Sequence, residues 1–445
     1  MTKERTHAFL FALILCFGTA THFWKIAVPD KPAFDEAHFA TYAMNIAERR
    51  PFFDIHPPLG KILFAIPLFF YPPQVFPEIP FLSLEIKERR LLSLRTNTEF
   101  ESFPYTALRA ESAVFGVGLL IAFYWFILSL TRDKKKALWG MFFLAAENAF
   151  LIETRLILMN GSFLFFGFLA LALLFREKPK PVIAGILLGL SLSVKLIGVV
   201  FIIPALLYFA LKDRMRTMSH TILPFLFTGF SVLFALWLAF VAIAAPFSDR
   251  VSFMKSLDPI FKKEAPFVPN DAPLVRKTAF TFFEFFRGMG ISADKYITGV
   301  EPHPAQSAWF TWPFMYKPFT YFYDDTMKIA LVGNPFVWAT TTLVMLGGLF
   351  LYLFRIMKKR VNMIPAKQLL IGSYLYALLP FALISRPAFL YHYFPAYLFG
   401  IAFLSFAIVE HLETLPSRKR MWLSILVIFA TLVGFAFSTP YTYGL

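Results

Sequence analysis

The stretch VIAGILLGLSLSVKLIGVVFIIPALLYFAL, Val182 to Leu211, carries one charged side chain, Lys195, in 30 residues. About 20 apolar residues suffice to cross roughly 30 Å of hydrocarbon at about 1.5 Å per residue, so this run is long enough for two short helices. Lys195 stands at its midpoint, where a tight external turn between them would fall. The rest of the chain agrees: 58% of the 445 residues are apolar and 16% are charged. Soluble domains run at about 45–50% and about 25%, which argues against a cytosolic enzyme and for a membrane protein. The net charge of +15 does not indicate nucleic acid, because Lys and Arg fall in short clumps between apolar runs. Cys16 is the only cysteine, which excludes a disulfide framework or a Cys-based zinc site.

Further apolar runs lie at Ala8–Val28, Leu108–Leu130, Ala137–Ile152, Leu156–Phe175, Thr221–Ala245, Ile329–Phe354, Gln368–Ile384, Tyr391–Val409 and Trp422–Phe437. The first, behind a basic stub, is expected to be an uncleaved anchor: it is long for a signal peptide and lacks a clear A-x-A site. With the Val182–Leu211 run counted as two, the sequence predicts an all-α integral membrane bundle of about 11 transmembrane helices. Placing the N-terminus inside leaves 20 of the 43 basic residues on cytoplasmic pieces against six of the 28 acidic ones. Cytoplasmic loops carry an excess of Lys and Arg, so the asymmetry supports this orientation. Two large extracytoplasmic loops follow, 29–107 and 246–328. The expected division is a transmembrane module over 1–245 with its catalytic outer loop at 29–107, the loop 246–328, and a four-helix region over 329–445.

The first outer loop contains Phe34-Asp35-Glu36-Ala37-His38-Phe39. Adjacent carboxylates at a membrane surface repel each other and lose hydration, which raises one pKa and suits a general base. The same residues could be solvated loop charges, with Asp35 capping a helix over Glu36 to Ile46. Next comes Phe52-Phe53-Asp54-Ile55-His56-Pro57-Pro58-Leu59-Gly60-Lys61. The prolines hold His56 extended, and the apolar strip from Ile62 to Tyr71 can lie on the membrane and bring His56 and Lys61 near anionic headgroups. A Pro-stiffened turn with interfacial aromatics would explain all but the polar residues.

These two clusters resemble the amino-terminal signature of the protein O-mannosyltransferases, GT-C glycosyltransferases of family 39. Leu108-Arg109-Ala110-Glu111-Ser112-Ala113-x-x-Gly116 and Ser193-Val194-Lys195-x-x-Gly198 are similar to further family motifs in the same order. So are Trp309-x-x-Trp312-Pro313, Gly333-Asn334-Pro335-x-x-Trp338 and Arg386-Pro387-x-Phe389-Leu390-Tyr391-His392-Tyr393-x-Pro395-Ala396. The resemblance implies transfer of mannose from a polyprenyl-phosphate-mannose donor to Ser or Thr hydroxyls of proteins, on the extracytoplasmic face. It implies Asp35 as the base that takes the acceptor proton, with Glu36 orienting acceptor or sugar. A positioned carboxylate is worth about 10²–10⁴-fold in such a step, and a single displacement gives inversion.

The leaving phosphate gains charge and needs fixed cations. On the residues alone, Arg109 and Lys195 could be snorkelling at helix ends. The resemblance assigns both to the donor phosphate, with Arg386 a third candidate. His38, Asp54, His56, Lys61, Tyr391 and His392 are expected to position substrate or loop. No cofactor is required; His38 and His56 would admit a divalent cation, but nothing implies a metal. Glu147 and Glu153 are expected to form a local ion pair with Arg155. Trp309, Trp312 and Tyr316 could stack on a sugar, hold a peptide or form an aromatic belt.

Two positions depart from the family pattern: Glu111 stands at a usually apolar place, and Asn160 where many members resemble Leu-Leu-Asp. The loop 246–328 is too short for the MIR module of eukaryotic members, which suggests a prokaryotic cell membrane. The partners the resemblance implies are the lipid donor, a protein acceptor and membrane lipids, not nucleic acid, and family members often pair as dimers. Within the same fold, an aminoarabinose-transferase-like enzyme acting on a glycolipid or polysaccharide is the alternative. A transporter or flippase fits less well, because the ionisable residues collect at one face and no inverted repeat is visible.

Overall fold

The computed structural model describes residues 2–48, 54, 56–71, 103–211, 215–244, 305–358, 365–384 and 387–445, together with 273, 275 and 282. Arg386 and most of the loop 246–328 lie outside the described residues. So does most of the strip between the second outer-loop motif and residue 103.

Helix α1 (Lys3–Phe23) leads through a turn into α2 (Glu36–Ala47) and α3 (Leu59–Leu68). Then come α4 (Tyr105–Thr131), α5 (Lys134–Ala145), α6 (Asn148–Glu153), α7 (Asn160–Leu174) and α8 (Pro181–Val194). A 3₁₀ turn over Leu196–Phe201 enters α9 (Ile202–Leu211), and α10 (Met215–Ala244) follows. A 3₁₀ turn at Trp309–Phe314 precedes an antiparallel hairpin, β1 (Thr320–Tyr323) with β2 (Lys328–Ala330), in which Tyr323 pairs with Lys328. The chain ends in α11 (Pro335–Met357), α12 (Pro365–Leu378), α13 (Phe394–Thr414) and α14 (Ser417–Tyr443).

Among the described residues, seven helices are long and apolar enough to cross a membrane, and they coincide with seven of the eleven expected spans. The protein is therefore an all-α, multi-pass integral membrane protein. The other four expected spans fall on α5, α7, α8 and α9, of 12, 15, 14 and 10 residues. The first two were cut short by a polar residue that the hydropathy count overran. The run 137–152 breaks where Glu147 turns its carboxylate back to accept from Ala149 N–H at 3.2 Å, capping α6. The run 156–175 starts its helix only at Asn160. The expected break at Lys195 is present: its backbone is extended (φ −144°, ψ 133°) between α8 and the 3₁₀ turn.

The expected span 329–354 begins later than the sequence suggests. Lys328–Ala330 is strand, and the helix starts at Pro335 because Asn334 caps it, accepting from Phe336 and Val337 N–H, with proline at the first turn. Helices α8 and α10 meet closely through Gly185 and Gly189. A Cβ there would lie 2.5 Å from the carbonyl oxygens of Phe225 and Gly229 respectively. Small residues spaced by four let membrane helices approach backbone to backbone.

Candidate functional site

The helix expected over Glu36 to Ile46 forms as α2, and Asp35 occupies its N-cap position. Yet Asp35 makes no side-chain capping bond. The residue before it, Phe34, holds a left-handed backbone (φ 48°). Such a conformation costs a non-glycine residue of order 1–3 kcal/mol and must be held by its surroundings. Here the Phe34 ring packs edge-on against Phe319 and Tyr321, at 4.4 and 5.9 Å between centroids. The hairpin thus fixes the turn that presents Asp35.

Glu36 points the other way and is fully buried. Its Oε1 accepts from Arg109 Nε and Ile157 N–H, both at 2.8 Å. Its Oε2 accepts from Arg109 Nη2 and Ala33 N–H, again at 2.8 Å. The remaining Arg109 donors go to the carbonyls of Pro29 (2.5 Å), Lys31 (3.1 Å) and Ile26 (3.3 Å). A guanidinium has five N–H donors, and all five are engaged. The phosphate expected at Arg109 and the acceptor or sugar expected at Glu36 would thus meet side chains whose five donors and two oxygens are already engaged within the chain. Together Arg109 and Glu36 clamp the loop that carries Asp35 onto α4 and the segment before α7.

Asp35 keeps part of its surface accessible. Burial pushes its carboxyl up to about 7; nearby Lys195 lowers it, while Asp54 and Glu153 raise it further. Lys195 reaches the same region from the end of α8. Its Nζ donates to Asn160 Oδ1 at 2.8 Å and lies 5.6 Å from the centre of the Tyr391 ring. The amide nitrogen of Asn160 donates to Glu153 Oε2 at 2.8 Å, and Tyr321 hydroxyl donates to Glu153 Oε1. The site therefore joins an elevated carboxylic acid, a fixed ammonium and a rim of aromatic rings.

The second motif folds on itself. Lys61 is fully buried and donates to Asp54 Oδ2 (2.8 Å) and to the carbonyls of His56 (2.6 Å) and Pro57 (2.5 Å). Three donors are all an ammonium has, so Lys61 shapes the His-Pro-Pro turn instead of reaching headgroups. His56 sits 6.4 Å from the ring of Phe39, and His38 lies on the exposed side of α2. His392 stacks on Trp312 and Tyr391, at 6.2 and 4.6 Å, and Phe389 N–H donates to its Nδ1 at 3.1 Å. Trp312 is itself buried, which rules it out as a sugar platform, whereas Tyr316 is exposed. Among the described residues no group of three or more His, Cys, Asp or Glu side chains could hold a metal ion.

The expected ion pairs with Arg155 do not form. Arg155 donates instead to the carbonyls of Trp24 (2.6 Å), Lys25 (2.9 Å) and Thr442 (3.1 Å) and lies over the Tyr443 ring. Glu147 accepts from Tyr397 hydroxyl at 2.7 Å and Asn334 N–H at 2.9 Å. Sequence reasoning missed Tyr321 and the part Glu153 plays. Glu153 was visible as an acid beside an apolar run, but Tyr321 gave no signal, since the hairpin that delivers it lies in an aromatic-rich stretch without clean alternation.

The profile of the family described as dolichyl-phosphate-mannose-protein mannosyltransferase matches residues 12–245. That of the C-terminal four-transmembrane region of protein-O-mannosyltransferase matches 281–445. The chain is 28% identical over 162 residues to a Candida albicans dolichyl-phosphate-mannose–protein mannosyltransferase 4, covering 36% of this chain and 20% of the relative. It is 26% identical over 207 residues to Danio rerio protein O-mannosyl-transferase 2, covering 44% and 26%. The match thus spans about a quarter or less of these relatives' length. The solved Saccharomyces cerevisiae protein O-mannosyltransferase Pmt1-Pmt2 complex, bound to the sugar donor, has the same GT-C fold. Its TM-score is 0.76 at 18% identity, covering 100% of this chain and 91% of that one.

Proposed function

Because the chain belongs to the dolichyl-phosphate-mannose-protein mannosyltransferase family, we propose that it transfers mannose from a polyprenyl-phosphate-mannose to Ser or Thr hydroxyls of proteins with inversion. One observation carries the mechanism: Asp35 is an uncapped, partly accessible carboxyl, raised to about 7, beside the Lys195 ammonium. In its ionised form Asp35 accepts the proton of the acceptor hydroxyl as the hydroxyl oxygen attacks the anomeric carbon. The bond from that carbon to the phosphate oxygen breaks, and the lipid phosphate leaves with the electron pair. Lys195 meets the charge that grows on it. Glu36 and Arg109 act by holding the loop, and Arg386 stays a candidate second cation.

The charge asymmetry between loops supports an extracytoplasmic site with the N-terminus inside. It is compatible with a prokaryotic cell membrane, although the relatives named above are eukaryotic. Pairing into a dimer is suggested by the two-chain complex of the structural neighbour. The test is purified protein with radiolabelled dolichyl-phosphate-mannose and a Ser/Thr-rich peptide. Label in the peptide supports the reading, while label confined to a lipid acceptor supports the glycolipid transferase instead.

A further inference from the structure

Lys195 is a poor catalyst unless its ammonium is fixed, because a lysine side chain is among those with most rotamer freedom to lose. What fixes it is a chain of hydrogen bonds that starts in the C-terminal hairpin. Tyr321 hydroxyl donates to Glu153 Oε1, Glu153 Oε2 accepts from Asn160 Nδ2 at 2.8 Å, and Asn160 Oδ1 accepts from Lys195 Nζ at 2.8 Å. The amide orientation is forced by chemistry: an ammonium only donates and a carboxylate only accepts. Glu153 and Asn160 are both buried. No direct ion pair joins Glu153 to Lys195, so the neutral amide balances the two charges while keeping the ammonium out of the carboxylate's grasp.

We propose that Asn160 and Glu153 are positioning residues that hold the Lys195 ammonium for the donor's phosphate, with Tyr321 anchoring the relay. This rests on the reading of Lys195 given above. It also gives the departure at Asn160 a physical meaning. A carboxylate there would stand at hydrogen-bond distance from Glu153, and the two would have to share a proton or draw Lys195 into a direct ion pair. Among the described residues, the charged and titratable groups facing the relay include Asp35, Tyr321, Tyr391 and Lys195, with Asp54 beyond Asp35.

The experiment measures the donor KM and kcat for dolichyl-phosphate-mannose with a Ser/Thr peptide, from pH 6 to 8.5, on nanodisc-embedded wild type, Lys195→Ala, Asn160→Ala, Glu153→Gln and the near-isosteric Asn160→Asp. Melting temperatures are recorded for each. Lys195→Ala is expected to raise donor KM at least about tenfold, and Asn160→Ala and Glu153→Gln severalfold, with kcat changing less. Asn160→Asp is expected to have a donor KM near wild type at pH 6 that climbs with pH more steeply than the wild-type value. A merely structural role would not produce that climb. If Lys195→Ala raises donor KM but the Asn160 and Glu153 variants leave it and its pH profile at wild type, the relay is overturned alone. If Lys195→Ala leaves donor KM unchanged, the reading of Lys195 falls and the relay with it.

Discussion

Arg109 and Glu36, 73 positions apart in sequence, face each other as a fully buried bidentate pair, with Nε to Oε1 and Nη2 to Oε2 both at 2.8 Å. Removing one partner leaves an uncompensated buried charge, which typically costs about 3–5 kcal/mol. Arg109→Ala is therefore expected to lower the melting temperature strongly and to lose transfer by misplacing Asp35. Arg109→Lys should recover little, since an ammonium cannot reproduce the fork. Donor affinity of whatever folded fraction remains should fall less than kcat; a selective loss of donor binding at full stability would restore the phosphate role to Arg109.

Asp35 also has a stability signature. An acid whose carboxyl is raised from 3.8 to about 7 binds its proton more tightly folded than unfolded. Between those values the native state holds more protons, so stability falls as pH rises through that window. Asp35→Asn removes the penalty. The variant is expected to melt above the wild type at pH 8, with the gap closing toward pH 4. Thermal melts of both proteins across this range provide the check.

Glu147 joins the two halves of the chain, accepting from Tyr397 on α13 and from the backbone of Asn334 at the head of α11. Glu147→Ala leaves both donors buried without a partner, a loss of about 1–3 kcal/mol for each such group. A lower melting temperature is expected with donor KM unchanged in the folded enzyme.

Gly189 tests the close approach of α8 and α10. A side chain there meets the Gly229 carbonyl at 2.5 Å and Val232 Cβ at 2.6 Å. Gly189→Leu is expected to force the helices apart, lowering expression and melting temperature, whereas the exposed Gly347, with nothing within 4 Å, should accept alanine without loss.

Composition and hydropathy were enough to reveal a helical membrane bundle, because a bilayer demands long apolar helices whatever their packing. Span ends were misread where one polar atom decided them: Glu147 split a run, Asn160 delayed a start, and Asn334 capped a helix that the apolar count had begun at Ile329. The site divides in the same way. Asp35 and Lys195 were legible as charges in unusual places. Arg109 and Lys61 were legible too, but their donors proved to be turned inward, and no spacing rule distinguishes an arginine that binds a ligand from one that binds its own loop. Tyr321 and Glu153 meet only because the hairpin folds back over α6, a tertiary contact without local pattern.

Asp35 is proposed as the base for mannosyl transfer to a protein hydroxyl. The most direct measurement compares kcat and donor KM of wild type and Asp35→Asn with dolichyl-phosphate-mannose and a Ser/Thr peptide across pH 5.5 to 8.5. With Asp35 as the base, wild-type kcat is expected to rise with pH to a plateau above about 7, and the variant to be slower by about 10²–10⁴-fold with donor KM little changed and no such rise. A variant that transfers mannose at the wild-type rate, with the wild-type pH profile, would contradict this role for Asp35.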